Sequence, residues 1–433
     1  MTANTYTVAV RALCEFTAKA GDLDLRFTPS PTAQEGIAGH AVVAGRRGDG
    51  YESEVALSGD YQVDHRHLKV RGRADGYDPK RHRLEEVKTF RGDLDLMPAN
   101  HRALHWAQVK IYGWLLSVER GLDELELALV YFDIVKQKET PLRETYSAEE
   151  LRAFFETQCE IFIHWADQEL AHREARDQAL AGLSFPHQSF RPGQRELAEA
   201  VYQSASTGRC LLTEAPTGIG KTVGTLFPLL KAMPGQKLDK VFYLSAKTPG
   251  RKLALDALQT LDPAPLRTLE LVARDKSCEH PDKACHGESC PLAQGFYDRL
   301  PAARAAAAQE TRLTQRRLRE LALEHNVCPY YLSQEMARWS DLVVGDYNYY
   351  FDLSALLHGL TADEAHNLVE RGRGMYSAEL DQAAFRAVKK QAPVALKKAF
   401  EKLHRQWNSL NRDSEADDPH SDYQVQPALP IAF

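Results

Sequence analysis

The sequence predicts an α/β protein with at least two folded domains. Residues 5–90 alternate polar and apolar side chains between Gly and Asp turns, a pattern typical of half-buried strands. Residues 99–119 and 147–180 instead carry apolar side chains at helical spacing. Residues 240–258 give a buried strand, a polar turn and a helix, the βα order of a parallel sheet. The length of 433 residues suits two or three domains.

Composition argues against a membrane protein and gives no overall sign of nucleic-acid binding. The net charge is −6, so any contact with nucleic acid must depend on local basic patches. No run of 18 apolar residues occurs, and residues 1–16 lack a basic segment followed by a long apolar one. The sequence therefore predicts a soluble, cytoplasmic monomer without membrane contact.

Asp75, Glu86 and Lys88 form an acid, then acid-x-lysine arrangement on two predicted strands. Residues two apart on a strand face the same side, so Glu86 and Lys88 share a face that Asp75 can join. Two carboxylates can bind Mg²⁺ or Mn²⁺, and a nearby lysine can stabilise charge on a phosphate. The exposed face of an ordinary hairpin would show the same pattern.

Three more residues favour a catalytic site. His40 lies upstream and can bring an imidazole to the metal, while Gln108 and Tyr112 stand at i, i+4 on one face of a predicted helix. With these residues the module at 1–170 resembles the PD-(D/E)XK nucleases of the RecB type, which include CRISPR-associated exonucleases. The resemblance implies a metal-dependent DNA nuclease whose site consists of His40, Asp75, Glu86 and Lys88, bordered on the DNA side by Gln108 and Tyr112.

Residues 211–222, LLTEAPTGIGKT, predict a phosphate-binding loop. Leu211–Thr213 reads as the end of a buried strand, and the glycines that follow allow a sharp turn into a helix. Phosphate binding needs backbone N–H groups, a helix N-terminus, a lysine and a hydroxyl for Mg²⁺. The residues that meet these needs are Thr217, Gly218, Gly220, Lys221 and Thr222. Ala215 replaces the glycine that usually begins this pattern.

Two further segments fit ATP. Gln194, beside Arg191, carries an amide that can pair with adenine, although a helix cap would explain it as well. DEAH at 363–366 supplies Asp363 for Mg²⁺ and Glu364 for the attacking water, while His366 couples the nucleotide state to the DNA path. The residues before this box, LLHGLTA, are less strand-like than such a box normally follows.

Four of the seven cysteines concentrate in one region and predict a metal centre. Cys278, Cys285, Cys290 and Cys328 are separated by steps of 7, 5 and 38 residues. Four thiolates can hold one [4Fe–4S] cluster or one zinc ion, and the lack of a close C-x₂₋₄-C pair favours the cluster. His280 and His286 keep zinc open as an alternative. The scattered cysteines, which we expect in the core, are Cys14, Cys159 and Cys210.

Residues 188–433 resemble the iron–sulfur helicases of superfamily 2, of the XPD and DinG type. The resemblance implies a RecA-like parallel-sheet lobe, an iron–sulfur insertion at 272–335 and the start of a helical arch at 376–433. It also places Tyr347 and Asn348 near translocating DNA, although core packing is the alternative. Lys247 and Thr248, after a predicted strand, can grip the phosphates of a single strand, or lie in a solvated turn.

The prediction as a whole is an ATP-dependent DNA helicase, 5′ to 3′ by resemblance, with an N-terminal nuclease domain. We expect domains at 1–170 and 188–433, joined by a linker at 171–187, with single-stranded and forked DNA and ATP as partners. The chain ends before a second helicase lobe, so we expect it to be part of a longer helicase. Two alternatives are a nuclease that binds ATP without turnover and a non-catalytic scaffold for single-stranded DNA.

Overall fold

The computed structural model describes residues 4–24, 26, 31–351, 360–362 and 381–417. The protein is mixed α/β, as predicted, with one mixed and one parallel sheet. Both sheets belong to the first of two compact units, Met1–Ala365, and the second unit is His366–Phe433. No helix in the described ranges is both long and apolar enough to cross a membrane.

The first sheet is organised around its longest strand. Its strands are β1 (Asn4–Ala9), β2 (Glu52–Val63), β3 (Arg66–Asp78), β4 (Arg83–Phe90), β5 (Glu124–Asp133) and β6 (Lys138–Ser147). β2 pairs antiparallel along one edge of β3, and β1 and β4 share the other edge. β1 pairs with residues 66–71 and β4 with residues 76–78. This edge therefore forks at residues 72–75, where Asp75 lies.

Four helices pack on this sheet. They are α1 (Val10–Thr17), α2 (Ala33–Gly45), α3 (Ala99–Arg120) and α4 (Ala148–Gly182). A capping box of Ser147 and Glu150 starts α4, as the Ser-x-x-Glu pattern predicts. The buried face of α3 and the apolar residues of the strands form one core, which includes Cys14 and Cys159.

Two segments expected to be strands are helical. In α1 the buried residues Val10, Leu13 and Cys14 stand at i, i+3 and i+4, so helical spacing outweighs the alternation seen before it. Residues 40–45 belong to α2, which a capping box between Thr32 and Glu35 begins well upstream.

The second sheet has five strands in the order β11-β7-β10-β8-β9. They are β7 (Val241–Ser245), β8 (Thr268–Glu270), β9 (Arg312–Leu313), β10 (Leu342–Asp346) and β11 (Leu360–Ala362), and every pairing is parallel. Around it lie α5 (Gln194–Thr207), α6 (Lys221–Gln236), α7 (Thr248–Leu261), α8 (Arg274–Ser277), α9 (Phe296–Ala307), α10 (Gln315–Glu324), α11 (Pro329–Trp339) and α12 (Asn348–Phe351). The arginine-rich segment 299–325 is divided into α9 and α10, because β9 joins the sheet beside β8.

The strand expected before the phosphate loop does not form. Residues 209–216 have no regular structure, and Leu212 is 87% exposed. A strand requires a partner edge, and β11, the described strand beyond β7, is only three residues long. Cys210 is also exposed, contrary to its expected place in the core.

The long helix α4 connects the two sheets. It runs through most of the segment expected as a linker, 171–187, and ends at Gly182. Its side chains are buried against the start of β10: His172 Nε2 lies 2.8 Å from Asp341 Oδ2, and Arg176 Nη1 lies 2.8 Å from Asp341 Oδ1. One turn earlier, Glu169 accepts a hydrogen bond from Arg267. This contact sets the first sheet firmly against the second.

A second connection joins the first module to the cysteine-rich region. Residues 21–24 pair with 286–298 through backbone hydrogen bonds, from Leu23 N to Ala293 O (2.9 Å) and from Tyr297 N to Gly21 O (2.9 Å). The Asp22 carboxylate accepts from Gly295 N (2.6 Å), and the Asp22 carbonyl accepts from Asn100 in the first turn of α3.

The second unit contains two described helices, Gln382–Gln391 and Val394–Asp417. Asp381 caps the first of them by accepting from Ala384 N. The buried Phe385 stacks on Phe400 and contacts Trp407, so aromatic side chains hold the two helices together.

Candidate functional site

The structure brings together the four residues predicted for a metal-dependent site. His40 comes from α2, Asp75 from β3, and Glu86 and Lys88 from β4. His40 Nδ1 lies 3.2 Å from Asp75 Oδ1, and the other Asp75 oxygen accepts from Val87 N (2.7 Å). Lys88 Nζ donates to Glu86 Oε1 over 2.7 Å, so these two side chains share one face, as alternation predicts.

Glu86 is a buried carboxylate of this site. It is only 6% exposed, and its Oε2 atom has no hydrogen-bond partner in the described structure. Burial raises the pKa of Glu86 to about 7, and Asp75 adds to the rise while Lys88 opposes it. The hydrogen bond with Asp75 raises the pKa of His40. A bound cation would balance the negative charge of the Glu86 and Asp75 carboxylates.

Glu54 is a site residue that sequence reasoning missed. It lies on β2 opposite Asp75, between the paired residues Ser53 and Val55, and its φ is 56°. Ligand atoms of His40, Glu54 and Asp75 all lie within 4.8 Å of one another, beside a pocket of about 260 Å³. One imidazole and two carboxylates suit Mn²⁺ or Mg²⁺. Only the register of β2 on β3 reveals this residue, and no local motif marks it.

Gln108 and Tyr112 lie behind the site, and both are buried on α3. Gln108 Oε1 accepts from Lys88 Nζ over 3.0 Å. Tyr112 packs on Gly72, where an added Cβ would lie 2.7 Å from the Tyr112 hydroxyl. Burial also raises the pKa of Tyr112. This placement makes the two residues supports of Lys88 and β3, whereas the resemblance implied contact with DNA.

The phosphate loop has the turn that its glycines predict. Gly218 and Gly220 have φ values of 87° and 83°, and α6 begins at the next residue, Lys221. Lys221 Nζ donates back to Ala215 O over 3.0 Å. Thr217 and Thr222 stand on either side of the turn, so all five predicted phosphate ligands lie around one helix N-terminus.

Arg191 and Gln194 support this loop. Gln194 Nε2 donates to Gly220 O (3.0 Å), and Gln194 Oε1 accepts from Arg191 N (3.0 Å). The Arg191 guanidinium donates to Gly218 O (2.5 Å). Gln194 thus contacts Gly220, and Arg191 contacts Gly218, the two glycines of the turn.

The predicted residues of the acidic box lie outside the described residues. They are Asp363, Glu364 and His366. The strand before the box, β11, is described and runs parallel to β7. β11 ends at Ala362, the residue before the box in the sequence.

The four clustered cysteines are free and half-buried. Burial raises the pKa of Cys328, and the nearby Cys278 and Cys290 raise it further. Cys285 lies close enough to Arg274 to raise the pKa of that guanidinium. No three of these sulfurs come within 4.8 Å of one another in the described structure.

The predicted DNA contacts of the second sheet divide into exposed and buried residues. Lys247 and Thr248 are exposed after the carboxyl end of β7, and Asn348 is exposed after β10. Tyr347 is 0% exposed in the described structure, which favours the core-packing alternative, and its stacking on DNA stays a prediction. Its ring is among the largest fully buried side chains of the described structure.

Comparison with known proteins finds matches to part of this chain. Residues 263–385 match the DEAD_2 family model. This range contains the four clustered cysteines and the DEAH box. The chain is also 22% identical to the general transcription and DNA repair factor IIH helicase subunit XPD of Dictyostelium discoideum. These two matches support the resemblance to XPD-like superfamily 2 helicases.

That curated relative is matched over 42% of this chain and 29% of its own length, so the chain spans less than a third of it. Among solved structures, an XPD helicase is 18% identical, with 51% of this chain and 40% of that chain covered at a TM-score of 0.36. A truncated XPD is 19% identical, with 49% and 65% covered at a TM-score of 0.36.

Proposed function

We propose that this chain belongs to an ATP-dependent DNA helicase that also carries a metal-dependent nuclease module. The observation that carries the helicase part is the DEAD_2 match over residues 263–385, downstream of a phosphate loop with the expected turn. Single-stranded and forked DNA are the proposed substrates. The 5′ to 3′ direction comes from the XPD and DinG resemblance alone.

ATP would bind with its phosphates on the N–H groups of the 217–222 loop. Lys221 would neutralise phosphate charge, Thr222 and Asp363 would hold Mg²⁺, and Glu364 would orient the attacking water. Gln194 and Arg191 would keep the loop in shape through Gly220 and Gly218. His366 would pass the nucleotide state to the DNA path, which includes Lys247, Thr248 and Asn348.

This proposal is tested by ATP hydrolysis in the full-length protein. We expect single-stranded DNA to raise the hydrolysis rate and Lys221→Ala to remove both the basal and the stimulated rate. Lys231→Ala, a lysine of the same helix that donates to Leu183 O instead, is the matched control. Hydrolysis that is absent, or that DNA does not change, would contradict the helicase function.

A [4Fe–4S] cluster is the group that we propose for the four cysteines. Cys278, Cys285, Cys290 and Cys328 would hold this cluster through four thiolates. The sequence steps of 7, 5 and 38 residues lack the close C-x₂₋₄-C pair that zinc usually recruits, which favours the cluster over zinc.

Cys285→Ser is expected to lose iron. The purified protein should contain about four irons per chain, and the variant should contain almost none. Cys210→Ser, an exposed cysteine outside the group, is the control and should keep all its iron. Anaerobic purification with iron and zinc analysis measures this. One zinc per chain without iron would overturn the cluster.

The nuclease part rests on the convergence of His40, Asp75, Glu86 and Lys88 described above. His40, Glu54, Asp75 and Glu86 would hold Mg²⁺ or Mn²⁺, which supplies positive charge at the scissile phosphate and a more acidic water. Lys88 would place its ammonium toward that phosphate while Gln108 fixes its direction. The Asp75 carboxylate stays oriented through its hydrogen bond from Val87 N.

A further inference from the structure

A basic cleft adjoins the carboxylate pocket. It has a volume of about 630 Å³ and lies between the end of α2, the β3–β4 turn and β6. Tyr51 lines both the cleft and the pocket of His40 and Asp75. The cations of the cleft are Arg46, Arg47, Lys80, Arg81, Arg83 and Arg143.

The acidic residues of this cleft are mostly neutralised inside the protein. Glu85 is only 4% exposed and accepts from Arg47 Nε (2.7 Å) and the Tyr51 hydroxyl (3.1 Å). Glu139 accepts from Arg47 Nη2 (2.8 Å) and Arg46 Nη1 (3.1 Å). Arg47 is therefore bound to Glu85 and Glu139 in the floor of the cleft and does not form part of its exposed surface.

The exposed rim is therefore positive. Lys80 and Arg143 are exposed, and Arg81 is 63% exposed although it contacts Asp78. Asp49 is the exposed acid of the lining. This local charge contrasts with the net charge of −6 for the whole chain, so it is a specific patch.

Tyr51 is fixed at the border between the rim and the carboxylates. Its hydroxyl is held by Glu85, and a Cβ added to Gly76, the neighbour of Asp75, would lie 1.9 Å from that hydroxyl. Proteins bind single strands with a row of cations and an aromatic ring. The phosphates contact the cations, and an unpaired base stacks on the ring.

We propose that this cleft binds single-stranded DNA on one side of the scissile phosphate. Lys80, Arg81 and Arg143 contact backbone phosphates, and Tyr51 stacks on a base next to the carboxylate pocket. The proposal rests on the proposed nuclease function and defines where its substrate lies.

The first test measures binding in EDTA, where no cleavage occurs. Arg81→Glu/Arg143→Glu should weaken binding of oligothymidine about tenfold and lower the salt slope by about 1.4, since each single-strand phosphate contact contributes about 0.7. Arg11→Glu/Arg152→Glu makes the same charge change at exposed sites on α1 and α4 and should bind like the wild type. Equal affinities for the two double variants would overturn the proposal.

The second test separates the cleft from the nuclease chemistry. With Mn²⁺, Arg81→Glu/Arg143→Glu should cleave oligothymidine about tenfold more slowly at low substrate concentration but hydrolyse bis(p-nitrophenyl) phosphate at the wild-type rate, because that small diester does not reach the rim. Equal losses on both substrates would overturn the cleft. A wild type that binds oligothymidine but hydrolyses neither substrate would instead overturn the nuclease function.

Discussion

Lys88→Ala is expected to slow metal-dependent cleavage of single-stranded DNA by roughly 10²–10³-fold, the usual cost of removing one group that stabilises transition-state charge. Lys88 is held by two hydrogen bonds, to Glu86 (2.7 Å) and Gln108 (3.0 Å), so its ammonium needs little reorganisation during the reaction. The measurement is the initial rate of oligonucleotide cleavage with Mn²⁺, together with a melting curve that checks folding.

Lys136→Ala is the control for this variant, because that lysine is 71% exposed and lies on the turn after β5. It should cleave like the wild type. The pH profile gives a second readout. Lys88 lowers the pKa of Glu86, so its loss raises that pKa further and moves the rise of residual activity to higher pH. A Lys88→Ala protein that cleaves at the wild-type rate would refute the proposed nuclease site.

The sequence predicted the parts of this site that depend on local spacing. Alternation on β4 was enough to place Glu86 beside Lys88, and i, i+4 spacing was enough to put Gln108 and Tyr112 on one face of α3. Glu54 escaped prediction because its position depends on the register between β2 and β3 and on a residue with positive φ. Neither property is encoded in a short motif.

The other differences between prediction and structure arise from contacts between residues that are far apart in the sequence. Tyr347 follows an apolar strand in a pattern that suits either the core or a DNA surface, and only the packed structure distinguishes the two. Leu211 and Leu212 have strand character, but local propensity cannot provide the partner edge that a strand requires. Helical spacing likewise does not predict where α4 ends, because its last turns are held by Asp341 from a distant part of the chain.

The pairing of residues 21–24 with 286–298 gives the proposed cluster a structural connection to the first sheet and its helices. The same segment reaches α3 through Asn100, and α3 carries Gln108, which contacts Lys88. Cys290 lies inside the paired range. The cysteine region therefore contacts α3 through residues 21–24, and α3 in turn positions the proposed catalytic lysine, Lys88.

Asp341→Ala is expected to destabilise the protein by about 3–5 kcal/mol, the usual effect of removing one partner from a buried ion pair. The Asp341 carboxylate accepts from Arg176, His172 and the backbone N–H of Arg267, each at 2.8 Å. The Arg176 side chain is only 3% exposed, so the variant removes one of the two carboxylates that pair with a buried cation and leaves Asp177, 2.7 Å from Arg176 Nη2, as the other. Urea unfolding followed by far-UV circular dichroism measures the change.

The pH dependence of the same variant follows from the pKa of Asp341. Burial acts to raise this pKa, but hydrogen bonds and charge from His172, with Arg267 N–H and Arg176, outweigh it and lower the pKa below 3.8. The carboxylate therefore stabilises the fold above pH 3.8, and this contribution is lost as the pH falls through the lowered folded-state pKa. Asp341→Ala should lack this part of the acid-induced loss of stability.

Asp239→Ala is the matched control, because Asp239 also pairs with an arginine of α4, Arg173, but is 66% exposed. An exposed pair of this kind contributes about 0–1 kcal/mol. Asp341→Asn keeps the shape of the side chain and removes its charge, so it should fall between the two alanine variants. If Asp341→Ala lost no more stability than Asp239→Ala, the buried cluster of Asp341, Arg176 and His172 would not be what holds α4 against β10.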